Sequence, residues 1–234
     1  LCCGVQGGLF YVTDIATGEL EFKQHISATQ LDRMVTASDG NIYISDYPNS
    51  GLKKYNPKTK ELTEVSGFNR NGGMALCMYA DNSENIYVGV YYNDGGRVIE
   101  YNVESDTMKD YGIMKQGAHY IQGIFADERY IYAGVGVGED IQAVIKCDKK
   151  TGEKTEVVGS GSGTTFYYVY VNDSQIITLI NGGIIVFDKE TGKRMRAYNA
   201  TSVPEKPYPK DENIFYAFYN NKVVKCDLKS GTQT

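Results

Sequence analysis

Two histidines, at positions 25 and 119, are the only side chains of this sequence that titrate near neutral pH without help from their surroundings. His119 is followed directly by Tyr120, and Arg33 and Arg70 lie in comparable segments earlier in the chain. An imidazole can take a proton, a phenol can return one, and a guanidinium can neutralise a carboxylate. These three roles together could remove the proton beside the carboxylate of a uronic acid. His119, Tyr120, Arg33 and Arg70 are therefore the candidate catalytic residues.

The same predicted loops carry side chains suited to binding a ligand without changing it. Tyr47, Tyr91 and Tyr92 fall in predicted turns, where an aromatic ring can stack against the face of a sugar. On this interpretation the His-Tyr pair is simply two polar residues on an exposed loop, a pairing that arises by chance in a chain with 20 tyrosines. The candidate ligand-binding residues are Tyr47, Tyr91, Tyr92, Gln122 and His25.

None of the five cysteines is predicted to bind a metal ion or to form a disulfide. Each falls on a predicted strand, where a free thiol packs as a small apolar side chain. The neighbours Cys2 and Cys3 are expected to point to opposite faces of their strand, which does not suit a shared metal ion. Two glycine-rich segments, residues 134–138 and 159–163, lack the lysine and the helix start of a phosphate-binding loop. The sequence therefore indicates no metal site and no cofactor.

Charge and hydropathy exclude two classes of partner. The 234 residues contain 24 Lys and Arg against 29 Asp and Glu, a net charge of −5, without a basic cluster. A nucleic-acid partner is therefore not expected. No apolar run approaches the roughly 18 residues needed to cross a bilayer, so membrane insertion is not expected either.

The 26 glycines and 20 tyrosines, with no tryptophan, are typical of many short strands joined by turns.

An internal repeat predicts the elements that position these residues. Six times, an extended apolar segment ends in Asp or Asn and continues into a turn, in most cases close to Thr-Gly-Glu. An Asp or Asn there accepts backbone N–H bonds, and a glycine near the end of the turn takes a positive φ at little cost. The spacings of 42, 46, 46, 40 and 39 residues match the period of a four-stranded β-propeller blade. The six turn residues are Asp14, Asn56, Asn102, Asp148, Asp188 and Asp227.

Further strands precede each turn residue. A second strand begins about thirteen residues earlier, in most units with Asn-Ile-Tyr or a variant, and a first, innermost strand is visible before four of these. In the sixth unit Pro204, Pro207 and Pro209 predict a long loop with a short strand near its start. Five tyrosines recur at equivalent strand positions and are predicted to be core residues: Tyr43, Tyr55, Tyr87, Tyr101 and Tyr132.

The sequence thus predicts an all-β fold, with a single β-propeller domain over residues 1–234. It has six recognisable four-stranded units of about 40–46 residues, and the first unit is incomplete because residue 1 aligns inside its second strand. Two alternatives follow for the ring. Either it closes imperfectly with six units, or the chain is a fragment of a larger protein whose ring has six to eight blades. The second is favoured, since an open ring leaves unpaired sheet edges.

The ending "strand, Asp-x-x-Thr-Gly, strand", as at residues 148–152 and 188–192, resembles bacterial propellers of the broad YncE-like, SMP-30/NHL-like and quinoprotein-like group. The resemblance covers nearly the whole chain and implies architecture rather than activity. Quinoprotein propellers rely on tryptophans that dock between blades. Since this sequence has none, the resemblance does not imply binding of pyrroloquinoline quinone.

Propellers bind ligands at one mouth of their central channel. The loops between blades and the turns between second and third strands form this mouth. In this sequence the predicted loops between blades span residues 23–33, 66–75, 113–122, 159–165 and 199–211. We therefore expect a non-catalytic ligand-binding or scaffolding module that binds a glycan or a protein at this face, with neighbouring domains of the same protein as further partners. The alternative is a polysaccharide lyase, since some lyase families use propellers with His and Tyr chemistry. The composition favours an extracellular or cell-surface location, and the unpaired cysteines leave a cytoplasmic one open.

Overall fold

The computed structural model describes residues 2–5, 7–26, 29–48, 51–67, 73–136, 141–159, 166–180, 183–202, 207–208 and 210–234. Within these ranges the chain forms twenty-one β-strands and no helix, arranged as six sheets in which strand order follows chain order. The predicted all-β fold and the predicted repetition of four-stranded units are confirmed. The chain divides into two compact units, each with three of the sheets, which are described in turn.

The first compact unit comprises residues 1–113 and 119–121. Its first sheet has three strands, β1 (Cys2–Val5), β2 (Leu9–Thr13) and β3 (Leu20–His25). The second sheet has β4 (Gln30–Thr36), β5 (Ile42–Tyr47), β6 (Leu52–Asn56) and β7 (Glu61–Val65). The third has β8 (Met74–Ala80), β9 (Asn85–Tyr91), β10 (Arg97–Asn102) and β11 (Thr107–Ile113).

The second compact unit comprises residues 114–118 and 122–234. It contains the fourth, fifth and sixth sheets of the chain. The fourth sheet has β12 (Ile121–Ala126), β13 (Tyr130–Val135), β14 (Ala143–Asp148) and β15 (Lys154–Gly159). The fifth has β16 (Tyr168–Val171), β17 (Gln175–Ile180), β18 (Gly183–Asp188) and β19 (Arg194–Asn199). The sixth has β20 (Ile214–Tyr219) and β21 (Lys222–Asp227).

Single bridges flank the two strands of the sixth sheet. Ser202 bridges to Phe218 on one side, and Gln233 bridges to Cys226 on the other. These bridges lie where the other sheets have their first and fourth strands. The predicted short strand at the start of the proline-containing loop is thus one bridge long in the described residues. Pro204 and Pro209 lie outside them.

The turn after each third strand is built by the predicted Asp or Asn side chain. Asp188 Oδ1 accepts hydrogen bonds from the Thr191 backbone N–H (2.8 Å) and hydroxyl (2.7 Å), and Asn56 Oδ1 accepts one from the Lys58 N–H (2.9 Å). Four of these turns use a glycine at positive φ. In the second unit the left-handed position is taken by Lys60 (φ 58°), because no glycine is present there. The side-chain acceptor is therefore the shared element, and glycine is dispensable at a modest cost.

Within each compact unit, neighbouring sheets pack face to face. One face of each sheet buries alternate residues of its second and third strands against the opposite face of the next sheet, which follows from the two-residue period of a strand. The five predicted core tyrosines are buried, which confirms that prediction. The packed sets are Phe10 and Val12 with Ile44 and Tyr55, Tyr43 and Leu52 with Ile86, Val88 and Tyr101, and Ile177, Ile184 and Val186 with Phe215, Ala217 and Cys226.

Two buried tyrosine hydroxyls donate to the turn that precedes the second strand of their sheet. Tyr43 Oη donates to Asp39 Oδ2 (2.9 Å), and Tyr87 Oη donates to Asp81 Oδ2 (3.3 Å). Burial, and then the neighbouring carboxylates, raise the pKa of both phenols. Both hydroxyls therefore stay protonated and serve the fold rather than acid–base chemistry.

The turn carboxylates predict a component of acid sensitivity. Hydrogen bonds from the Thr191 hydroxyl and N–H lower the pKa of Asp188 below its ordinary value of 3.8. A lowered folded-state pKa stabilises the protein above the unfolded-state pKa, and that stabilisation is lost as pH falls through the folded-state pKa. We expect Asp188→Asn, which keeps the acceptor and removes the charge as Asn56 and Asn102 already do, to fold normally and to lose less stability in acid. Urea unfolding across pH measures this, with Asp173→Asn at an exposed carboxylate as the control. An unchanged acid dependence in Asp188→Asn would contradict this account of the turn.

Candidate functional site

Three aromatic side chains meet at one corner of the third sheet. The ring centroid of Tyr91 lies 4.6 Å from that of Tyr120 and 6.2 Å from that of His119. Tyr91 ends β9, whereas His119 and Tyr120 immediately precede β12. All three residues are half-buried. We call Tyr91, His119 and Tyr120 the aromatic corner.

A pair of glycines allows this corner to form. After Tyr92 the chain turns sharply, with the Gly95 N–H donating to Tyr92 O (3.1 Å) and Gly95 at φ 140°. The next residue, Gly96, is buried, and a Cβ there would lie 2.9 Å from His119 O. Only a residue without a side chain lets the His119 backbone approach the turn this closely. The Gly95-Gly96 pair therefore fixes the position of His119 beside Tyr91.

Hydrogen bonds orient two of the three rings. His119 Nδ1 lies 3.3 Å from Tyr92 O, and Tyr91 Oη donates to Asn93 Oδ1 (3.0 Å). A carbonyl oxygen only accepts, so Nδ1 is the nitrogen that carries the proton in this contact. In the neutral imidazole, Nε2 then holds the lone pair and can accept a hydrogen bond from a ligand.

The arginine nearest to this corner in sequence is already paired. Arg97 Nη2 lies 2.7 Å from Asp94 Oδ2, and Arg97 Nη1 lies 3.2 Å from Asp110 Oδ2. Two carboxylates thus compete with any ligand carboxylate for this guanidinium. The corner offers a ligand ring faces and polar edges, with its positive charge already neutralised.

The other predicted catalytic residues are not joined to His119. Arg33 lies within β4 rather than in the predicted loop, its side chain is exposed, and its Nη1 donates to Asp32 O (3.0 Å). No hydrogen bond or ion pair connects Arg33 with His119 in the part of the chain that the structure describes. Arg70 lies outside the described residues. The predicted acid–base constellation stays a prediction, of which the structure brings together His119 and Tyr120 only.

Several predicted ligand-binding residues lie on strands rather than on loops, which corrects their predicted placement. His25 is the exposed last residue of β3, Tyr47 is the half-buried last residue of β5, and Gln122 is the half-buried second residue of β12. The strands extend beyond their apolar residues because the hydrogen bonds between strands are made by the backbone. A polar side chain that points to solvent therefore does not end the strand. Tyr92 was expected on an exposed loop, but its side chain is only 5% exposed and packs in the core of the first compact unit.

A charged network on the second sheet was not found from the sequence. Asp46 is 5% exposed; its Oδ1 accepts the Gly51 N–H (2.8 Å) and its Oδ2 lies 3.1 Å from Lys53 Nζ. Nearby, burial raises the pKa of Asp32, to which Gln30 Nε2 donates (2.6 Å). The sequence feature that could have identified Asp46 is a departure from the repeat. The next two units have Val90 and Val135 at the position of Asp46. The hydrogen bonds and ion pair account for Asp46 as a structural carboxylate.

The three cysteines whose side chains the structure describes are buried and form no disulfide. They are Cys77, Cys147 and Cys226. Burial raises the pKa of Cys77 to about 12 and that of Cys226 to about 11, so these thiols stay protonated at neutral pH. Among the described side chains, no group of three or more His, Cys, Asp and Glu residues comes together as a metal site. The same residues contain no helix with the length and hydropathy of a membrane span.

The packing of Gly96 against His119 is testable by adding one methyl group. We expect Gly96→Ala to destabilise the protein by about 1–3 kcal/mol, because the new Cβ meets backbone atoms that cannot rotate away. Urea unfolding measures this change. In the control Gly159→Ala, the added Cβ meets only the flexible Glu156 carboxylate, so stability should change by less than about 0.5 kcal/mol. Equal effects of the two substitutions would show that the close approach at Gly96 is unimportant.

Comparison with known proteins supports the fold and leaves the activity open. No protein-family model matches the chain, and no curated protein matches it. Among solved structures, 940 chains match, and one of these is the crystal structure of the computationally designed Ika8 protein. The likeness to Ika8 has a TM-score of 0.62 at 18% sequence identity and covers 99% of this chain and 66% of that one. A fold shared at such low identity does not specify a function, so this chain is similar to Ika8 in its β-sheet architecture alone.

Proposed function

We propose that the protein is a non-catalytic glycan-binding module and that the aromatic corner is its binding site. The observation that carries this proposal is the meeting of three half-buried aromatic residues, in which the ring centroids of Tyr120 and His119 lie 4.6 Å and 6.2 Å from that of Tyr91. Sugar rings present C–H faces that pack on aromatic rings and hydroxyls that need hydrogen-bond partners. The corner supplies both kinds of contact.

Polar groups suited to sugar hydroxyls surround the three rings. His119 Nε2 is an acceptor, Tyr120 adds a phenol, and Asn93 and Asp94 are exposed in the adjoining turn. Because the rings are held by strand β9 and by the Gly95-Gly96 turn, a ligand loses little free energy in ordering them.

The alternative, a polysaccharide lyase, needs a cation that neutralises the uronate carboxylate beside the base. Arg97 is paired with Asp94 and Asp110, and Arg33 is not bonded to His119. Both observations favour binding over elimination. An orienting hydrogen bond on His119 is nevertheless what a general base uses, so an assay for the elimination product accompanies the binding measurements.

We further propose that the six sheets are blades of one propeller of the YncE-like, SMP-30/NHL-like and quinoprotein-like group. The regular spacing of 39 to 46 residues between turn residues and the face-to-face packing of consecutive sheets support this proposal. A glycan ligand also fits the expected extracellular or cell-surface location. Tyr47 and His25 stay predictions as further contacts at the same face.

Binding is tested with a glycan array followed by titration calorimetry on the strongest ligand. We expect Tyr91→Ala and Tyr120→Ala each to weaken binding about tenfold, the equivalent of about 1.4 kcal/mol for the loss of one stacked ring. Tyr167→Ala, which removes an exposed tyrosine of the second compact unit, is the matched control and should bind like the unmodified protein. Equal binding by all three variants would overturn the assignment of the site.

The same ligands distinguish binding from elimination. A polysaccharide lyase creates a new double bond that absorbs ultraviolet light, so absorbance is followed over a panel of uronic-acid polysaccharides. We expect no rise in absorbance with the unmodified protein. A rise that His119→Ala abolishes would instead establish the lyase and make His119 its base.

A further inference from the structure

Consecutive sheets pack by a constant rule in both compact units. In the fifth sheet, Ile177, Ile184 and Val186 point from the second and third strands toward the next sheet, and we call the face at these repeat positions the leading face. The sixth sheet meets it with Phe215, Ala217 and Cys226, which define the trailing face. In the first compact unit the leading faces of the first and second sheets pack on the trailing faces of the second and third in the same way.

Strand register identifies the leading face of the sixth sheet. In the fifth sheet Ile177 pairs with Val186, two residues before the turn residue. Tyr216 pairs with Lys225 in the same register, two residues before Asp227. Phe218 and Val223, which are cross-strand partners, lie on the same face as Tyr216 because side chains alternate along a strand. The leading face of the sixth sheet is therefore Tyr216, Phe218, Val223 and Lys225.

This face is exposed where its counterparts are buried. At the position of Tyr216, the other units have Tyr43 and Tyr87, both 0% exposed, and Tyr132 at 1%. Tyr216 itself is 43% exposed. Val223 is 65% exposed, whereas Ile184 at the equivalent position of the fifth sheet is 1% exposed. Phe218 is 46% exposed.

Tyr208 contacts the edge of Tyr216, with ring centroids 5.6 Å apart. Tyr208 is itself 38% exposed, so it covers only a part of the face.

We infer that the leading face of the sixth sheet is a docking surface for a further β-sheet of this same repeat. Two aromatic rings and a valine in one patch favour association, because burying apolar surface is the main driving force for it. The interfaces between consecutive sheets show what such a partner presents: a trailing face of buried apolar residues from its second and third strands, such as Phe215, Ala217 and Cys226, at the usual spacing of about 10 Å between packed sheets. The face thus continues an interface that consecutive sheets already form in both compact units.

A second copy of the chain fits this surface less well. A symmetric dimer places the same patch on both sides, so it would pair a leading face with a leading face. That arrangement departs from the leading-on-trailing rule and brings two Lys225 side chains toward each other, which is unfavourable. A repeat sheet with a trailing face avoids both problems.

The register of the repeat supplies a partner for the test. Asp227 follows Asp188 by 39 residues, so a copy of residues 196–234 joined after Thr234 continues the repeat in phase. In this extended chain the added copy presents a second Phe215-Ala217-Cys226 face to the original Tyr216. We expect Phe218→Ser, made only at the original position, to lower the Tm of the extended chain by about 5 °C or more, as for a core aromatic. In the 234-residue chain the same substitution should lower the Tm by less than about 2 °C.

Controls separate the possible outcomes. Tyr167→Ser, at an exposed tyrosine of the fifth unit, should have the same small effect in both chains. Equal effects of Phe218→Ser in the two chains would overturn the inference. So would a dimer of the 234-residue chain, detected by sedimentation velocity, that Phe218→Ser dissociates, because a second copy would then be the occupant.

A dye measurement on the unmodified chain keeps the inference testable if the extended chain does not fold. The fluorescent dye 8-anilinonaphthalene-1-sulfonate binds exposed apolar surface, and we expect Phe218→Ser to remove most of its signal. Tyr167→Ser should leave the signal unchanged. Loss of signal in Phe218→Ser alone supports a docking surface at this face, and an unchanged signal contradicts it.

Discussion

The structure depends above all on the packing of one face of each sheet against the opposite face of the next. A three- or four-stranded sheet of about forty residues cannot bury enough apolar surface by itself, because its two faces would both remain in contact with water. Stacking sheets solves this problem, and it requires that the second and third strands of each unit carry apolar residues on both faces. The sequence meets that requirement with Tyr, Ile, Val and Leu at the same register in unit after unit. The turn carboxylates and amides then build the turn that follows each third strand.

The candidate site follows from this arrangement. Because the strands are committed to packing, the residues free to contact a ligand lie at strand ends and in the turns and connections that join them. In the third sheet, the turn between Tyr91 and Arg97 contains Gly95 and Gly96. Because Gly96 has no side chain, the backbone of His119 lies directly against this turn. The result is an aromatic corner held by rigid elements, with a histidine whose Nδ1 is engaged by a backbone carbonyl.

Much of the fold could be predicted from the sequence because the same pattern of strands and turn residues occurs six times. The turn residues, the second strands and the buried tyrosines such as Tyr87 were all identified from spacing and residue type. The ends of the strands could not be predicted, since backbone pairing continues through exposed residues such as His25, which pairs with Leu9. The burial of Tyr92 could not be predicted either, because the next residues turn the chain back over it. The proximity of Tyr91 to Tyr120 depends on a contact between segments that are 29 residues apart, which no local pattern encodes.

The central claim is that the aromatic corner binds a sugar. A crystal structure of the protein with the oligosaccharide that binds most tightly on a glycan array tests this most directly. We expect electron density for a sugar ring stacked on Tyr91 or Tyr120, with a hydroxyl in hydrogen-bond contact with His119 Nε2. A sugar bound elsewhere on the protein, with the corner occupied by solvent, would contradict it.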